Sequence, residues 1–214
     1  MTDNESNKID PPKSAKKILL HCCCAPCSGA IIESLVNINL DVTLFFFNPN
    51  IHPSFEYAFR KRSIIEFAHK KSVPVIDSDY SPSEWFIRVK GHKNDPERSE
   101  RCTKCFDFRL EASALYAHEN SFPVFTSSFG IARFKNLDQV NRCGLNAAAK
   151  YPGLTYWTEN WRKNGGAENM YKIAKQEGFY KQKYCGCSYS LKAANEKRDI
   201  KGQDPLSPGQ EFYS

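Results

Sequence analysis

Short apolar runs alternate with helix-length segments along most of the chain, and this alternation restricts the fold more than any other feature. The runs are Ile18-Leu19-Leu20, Val42 to Phe47, Val73 to Ile76, Val124 to Ser127 and a brief Thr155 to Thr158. Between them lie segments of helical spacing: Ser28 to Val36, Pro53 to about Lys71, Pro82 to Lys90, Cys105 to His118, Asn136 to Lys150, Glu168 to Glu177 and Ser188 to Glu196. The helix opened by Pro53 carries Phe55, Phe59, Ile64, Ile65 and Phe67, and proline suits a first helical turn. Neighbouring parallel strands need a crossover between them. The expected fold is therefore α/β, a mainly parallel sheet with helices on both faces. In such sheets ligands bind beyond the carboxyl ends of the strands.

The 214 residues suffice for one domain with its own core. We expect residues 1–16 to be a disordered leader, 17–196 a single α/β domain, and 197–214 a flexible tail. No run of about 18 apolar residues occurs, so no membrane span or membrane partner is expected. The polar amino end lacks the apolar stretch of a secretory signal, which points to the cytoplasm. The formal charge is +6, from 30 basic and 24 acidic residues, which fits either an ordinary soluble protein or one with a polyanionic substrate such as RNA.

The nine cysteines carry the chemistry. Four fall in His21-Cys22-Cys23-Cys24-Ala25-Pro26-Cys27, at the end of the first strand and before a helix, where thiolates are favoured. Adjacent cysteines rarely form separate structural disulfides, and in a reducing compartment such a set is a metal or redox site. Cys24 and Cys27 alone also match a thioredoxin-like pair, which predicts a thiol–disulfide oxidoreductase. Arg101-Cys102-Thr103-Lys104-Cys105 has the two-residue spacer of zinc and iron–sulfur sites and needs a partner pair. Tyr184-Cys185-Gly186-Cys187-Ser188 suits a strained, reducible small-ring disulfide, two further ligands, or neither. Cys143 reads as an isolated helix thiol. Zinc with two cysteines from each of the first two motifs would give a zinc-stabilised binding module, but leaves the remaining thiols unexplained. The spacing of an S-adenosylmethionine radical enzyme would need a cysteine where Leu20 stands.

Four ordered motifs, HCCCAPC, FFFNPNIHP, ERCTKC and YCGCSYS, resemble the cobalamin-independent epoxyqueuosine reductases, the QueH family, over roughly Lys17 to Leu191. The resemblance implies a fold related to the PP-loop nucleotide-binding α/β superfamily. It implies a four-iron four-sulfur cluster on Cys23, Cys24, Cys102 and Cys105, and a redox-active pair at Cys185 and Cys187. An additional iron beside the cluster, involving Cys22 or Cys27, is a further implication. The implied reaction reduces epoxyqueuosine at the tRNA wobble position to queuosine, with an electron donor the sequence does not identify.

Around this centre, Arg60, Lys61, Arg62, Arg88, Lys90, Arg133, Lys135 and Arg142 are candidate phosphate contacts, each weighed against a solvated helix face. Arg133-Phe134-Lys135-Asn136 combines charge and an aromatic ring at a strand end, as expected for reading an unpaired base. Trp157, Trp161, Gly165 and Gly166 are candidates for a pocket rim, weighed against the tryptophans being core. Asn48 to His52 would face the site, with His52 either a proton donor or an ordinary loop histidine, and His21 either tuning the cysteines or simply ending the strand.

Overall fold

A computed structural model describes residues 9–78 and 80–208. Five strands form one sheet in the order β3-β2-β1-β4-β5: β1 Lys17–His21, β2 Asp41–Phe46, β3 Val75–Asp77, β4 Val124–Ser127 and β5 Thr155–Tyr156. Every pairing is parallel. The helices are α1 Ala25–Asn37, α2 Ser54–Lys70, α3 Pro82–Arg88, α4 Glu100–Glu119, α5 Leu137–Ala148, α6 Gly166–Gln176 and α7 Ser188–Asp199. α1 packs on α2 and α6, and α4 packs on α3 and α5.

The pleat of β1 divides the core. Ile18, Leu20 and Cys22 enter one apolar cluster with Leu35, Ile64 and Phe67. Leu19 and Cys23 enter the other, with Leu110, Phe125 and Val140. Alternate residues of a strand face opposite ways, and both clusters are covered by helices. The α/β fold with a helical layer on each face is thus as the alternation predicts.

The order reverses direction at β1: the chain builds outward through β2 and β3, then returns to add β4 and β5 on the other side. The crevice beyond the carboxyl ends of β1 and β4 is the switch point where doubly wound sheets bind ligands. Cys23 and Cys24 sit there.

Element ends differ from the sequence expectation at informative places. α1 starts at Ala25 because Pro26 occupies its first turn and Cys24 is its amino-terminal cap. α4 starts at Glu100, five residues early, because its first turn is tied to the preceding loop: Arg101 N donates to Asp95 Oδ2 at 3.0 Å. The run expected as a strand from Val73 begins only at Val75. Of the expected leader, residues 1–8 lie outside the described residues; Pro12–Ser14 form a 3-10 turn. Of the expected tail, residues 209–214 lie outside them, while Lys197–Asp199 complete α7 and Leu206 N donates to Asn195 Oδ1 at 2.7 Å.

Candidate thiol and metal centre

Three consecutive cysteines take three different environments. Cys22 lies on the α1 face of the sheet, fully buried, with its thiol donating to Phe45 O at 3.6 Å. Burial pushes that thiol well above its ordinary range. Cys23, one pleat on, faces the crevice; its N–H donates to Ser128 Oγ at 3.2 Å, and Ser128 Oγ donates to Cys23 Sγ at 3.5 Å. Cys24 caps α1, and Cys27 follows in the first turn. The sulfurs of Cys23, Cys24 and Cys27 lie within 4.8 Å of one another. Hydrogen bonds from Cys24 and then Cys27 hold the Cys23 thiol well below its ordinary value, helped by Lys135 and Arg109. The same bond to Cys23 leads the causes that push Cys24 up to about 12. The trio therefore favours one negative charge shared over three sulfurs.

Cys102 and Cys105 are one turn apart on α4, so both project from one helix face. They line a narrow pocket of about 60 Å³ with Arg98, Arg101, Cys185 and Cys187. Arg98 N donates to Cys102 Sγ at 3.3 Å, and burial pushes Cys102 up to about 11. Cys187 caps α7, accepting from Ser190 N at 3.4 Å, and burial pushes it up to about 12. Cys185 is exposed and accepts from Lys135 Nζ at 3.6 Å.

A larger cleft of about 970 Å³ has the Cys23, Cys24 and Cys27 trio at its base. Lys135 and Cys185 are among six residues that line both cavities, so the cavities holding the two cysteine groups adjoin there. Burial opposes the charge of Lys135, but Cys185, Cys23 and Cys27 more than offset this and raise its proton affinity above the ordinary value. The structure thus gathers Cys23, Cys24 and Cys27 tightly and sets Cys102, Cys105, Cys185 and Cys187 in the adjoining pocket.

The segment carrying Cys185 and Cys187 is clamped from α2. Arg60 donates from Nη1 to Cys185 O at 2.9 Å and from Nη2 to Tyr184 O at 3.2 Å. Its Nε is paired with Glu56 at 2.7 Å, and both side chains are almost completely buried. Tyr180 donates to the other Glu56 oxygen at 3.0 Å. Tyr184 OH donates to His52 O, and His52 N donates to Gly186 O at 2.8 Å. Gly186 has φ 128°, and a Cβ there would come within 3.1 Å of Arg60 Nη1.

These contacts revise several sequence assignments. Arg60 is 4% exposed and holds a loop; it is not a solvent-facing phosphate contact. Lys61 pairs with Asp77 at 2.9 Å, Arg62 with Glu66 at 3.5 Å and Arg88 with Glu111 at 3.6 Å, all outside the cleft. Lys90 and Arg142 are exposed but line neither cavity. Arg133, Phe134 and Lys135 do line the cleft, and Asn136 the narrow pocket. Trp157 and Trp161 are buried against each other, ring centroids 5.2 Å apart, so they form core and no rim. Gly166 sits where a Cβ would strike Trp161 O, a packing role. Cys143 is buried, donating to Thr103 O at 3.8 Å.

Asn48 and Asn50 face the cleft, as expected of that segment. His52 lines neither cavity; its Nδ1 bonds Asn50 O at 2.7 Å and its ring packs on Phe86. His21 is fully buried, and burial with the nearby Arg109 charge pushes it down to about 3. It is neutral and donates from Nε2 to Phe47 O at 3.1 Å. Sequence reasoning missed Ser128, Glu56, Arg98, Arg101 and Arg109. Arg109 was within reach of helical spacing, lying on the same face as Cys102 and Cys105. Ser128 belongs to no motif.

A doubly wound sheet whose switch point opens into a thiol-lined, cation-bearing cleft is the arrangement in which proteins of the α/β class bind their ligands. The model of the family described as epoxyqueuosine reductase QueH matches residues 18–193. Similar proteins include the epoxyqueuosine reductase QueH of Acinetobacter baylyi, 53% identical over 97% of this chain and 95% of that protein. That of Histophilus somni is 50% identical over 97% of this chain and 85% of its own length. That of Thermotoga maritima is 33% identical over 84% and 93%. The chain belongs to the QueH epoxyqueuosine reductase family and is an oxidoreductase. No helix among the described residues is long and apolar enough to cross a membrane.

Proposed function

We propose that this protein reduces epoxyqueuosine at the wobble position of tRNA to queuosine, using a four-iron four-sulfur cluster and the Cys185–Cys187 pair. The adjoining of the two cysteine-lined cavities at Lys135 and Cys185, at the switch point of the sheet, is the observation that carries this reading. Removing the epoxide oxygen as water consumes two electrons and two protons and leaves a carbon–carbon double bond. Two thiols closing to a disulfide release the same two electrons and two protons. Cys185 and Cys187 hold these reducing equivalents, and an external donor, which we leave unassigned, restores them.

Cys23, Cys24, Cys102 and Cys105 are the residues we assign as cluster ligands. Thiolates are the ligands iron–sulfur clusters take, and the Cys23 and Cys24 sulfurs lie 3.6 Å apart at the switch point. Arg109 and Lys135 supply positive charge beside the set. The cluster, when bound, supplies single-electron transfer. Cys27 is our candidate for an additional iron, its sulfur within 4.8 Å of those of Cys23 and Cys24. We leave Cys22 out of that role because it packs on the opposite face of the sheet. Lys135, bridging to Cys185, keeps a proton and a positive charge beside that sulfur. Thiol chemistry of this kind persists in a reducing compartment, and we assign the protein to the cytoplasm.

The test is anaerobic purification with a visible spectrum and iron and sulfide counts, followed by incubation with a reductant and tRNA carrying epoxyqueuosine, then mass analysis of the digested nucleosides. Cys185→Ser and Cys187→Ser should each abolish turnover while leaving the absorbance intact. Unchanged turnover rejects the relay. A colourless protein active on dithiols would instead support a Cys24–Cys27 oxidoreductase, and stoichiometric zinc a binding module without catalysis.

A further inference from the structure

The large cleft has an unbalanced charge. Eight basic side chains line it and one acidic, Glu97. Arg60 is buried in the structural contacts already described, Arg109 is buried and donates from Nε to Phe47 O at 3.3 Å, and Lys135 faces the thiols. The rest come from two separate stretches of the chain that form walls of the same cleft. On one, Lys175 at the end of α6, Lys181 and Lys183 in the following segment and Lys197 on α7 are all exposed. On the other, Arg133 and Phe134 project from the loop after β4. Lys175, Lys181 and Lys197 make no ion pair among the described residues.

Phe134 is 64% exposed, an unusual position for a large apolar side chain beside so much charge. Its backbone is nevertheless fixed. Arg98 Nε donates to Phe134 O at 2.8 Å, and Arg162 Nη2 donates to Ala132 O at 2.6 Å and Lys135 O at 2.9 Å. The Arg133 guanidinium lies 4.9 Å from the Phe134 ring centroid. An exposed ring on a hydrogen-bonded loop, with a cation beside it and lysines lining the same cleft, combines the stacking platform and phosphate contacts that single-stranded nucleic acids use.

We propose that these walls grip an unpaired stretch of RNA, with Lys175, Lys181 and Lys197 against its phosphates and Phe134 stacked on a base next to the one that enters the cleft. This rests on the tRNA reading above and deepens it. An acidic protein would satisfy the lysines but leaves the exposed ring without a partner, so looped RNA is the better fit. Of the phosphate contacts expected from sequence, Arg133 and Lys135 line this cleft; the lysines we add to them lie in the last third of the chain.

The experiment measures anisotropy of a labelled anticodon stem-loop and of the same stem as a blunt duplex, bound to the anaerobically purified protein. K175E/K181E, the neutral K175Q/K181Q and F134A are compared with K13E/K16E, a control at the opposite end of the sheet that changes net charge equally. K175E/K181E should weaken stem-loop binding by about tenfold or more, and its dependence of log affinity on log salt should fall by about 1.4, or 0.7 per lost phosphate contact. K175Q/K181Q should fall in the same direction. F134A should cost about tenfold on the stem-loop and leave the duplex unchanged. Iron content should match the wild type in every variant.

Affinity in K175E/K181E equal to that in K13E/K16E overturns the proposal, as does equal loss of duplex and loop binding in F134A. So does a defect seen only with a protein electron donor and not in RNA affinity, which would make the wall a donor dock. Turnover of modified tRNA by the wild type is measured alongside. Its absence defeats the tRNA reading itself, whereas turnover with unaltered binding in the wall variants defeats only the surface.

Discussion

Arg60 and Cys185 stand 125 positions apart in the chain, yet the guanidinium Nη1 donates to the Cys185 carbonyl at 2.9 Å. The contact links a helix in the first third of the protein to the pair we assign as redox-active. Its charge is met by Glu56 one turn earlier, so the clamp is a buried ion pair with a loop attached.

Removing one partner of a buried ion pair leaves the other uncompensated, at about 3–5 kcal/mol. Arg60→Met should therefore lower stability by that order and speed maleimide labelling of Cys185. The double variant E56L/R60M should recover much of the stability but not the slow labelling. Urea denaturation and labelling rates under anaerobic conditions check both. Full recovery of both would show that Arg60 supplies charge balance and does not position the loop.

Gly186→Ala adds a Cβ at φ 128°, 3.1 Å from Arg60 Nη1 and 3.2 Å from Ile51 Cγ1. Strain of this type costs about 1–3 kcal/mol. The expected result is a lower urea midpoint and a turnover loss larger than the loss of iron. Wild-type turnover in this variant would mean that the loop tolerates movement during the reaction.

Ser128 accepts from the Cys23 N–H and donates to its sulfur. Ser128→Ala leaves that buried N–H without its partner, at a cost of about 1–3 kcal/mol. After anaerobic reconstitution the variant should lose iron to a chelator faster than the wild type. An identical release rate would indicate that the hydroxyl has no influence on the centre.

Burial holds His52 below its ordinary proton affinity, while the bond to Asn50 O acts in the opposite direction. A folded-state value below the unfolded one means that the unfolded chain binds more protons as pH falls. Stability should therefore decline on acidification through the ordinary histidine range near about 6.5. His52→Gln should show a flatter urea midpoint between pH 7.5 and pH 5.5 than the wild type. Parallel profiles would exclude His52 as the source.

Periodicity made most of the sheet legible: β4 runs from Val124 to Ser127 as the apolar pattern indicates. It could not locate the start of α4, because Arg101 anchors that turn through tertiary bonds to the Asp95 loop. The cysteine motifs pointed to the right end of the sheet. The separation of Cys22 from Cys23 was implicit in strand alternation but hidden by the similarity of the three adjacent residues. Arg60 in its run of basic residues looked solvated because its partners at 184 and 185 are remote in sequence. Glu56 at the i−4 position was the local clue. Trp157 and Trp161 lie beyond β4 and β5 in a segment without clear period, so only packing shows them to be core.

One wall of the cleft, from α6 to α7, is made by the last stretch of the polypeptide. A ribosome adding about 5–20 residues per second exposes the sulfurs at positions 22–27 on the order of ten seconds before the lysines and thiols of that wall exist. The nascent protein thus has reactive sulfur before it has a shelter for it. Loading of the cluster we propose would consequently be a finishing step, and a chain truncated ahead of Tyr184 would present Cys23, Cys24 and Cys27 to any passing oxidant.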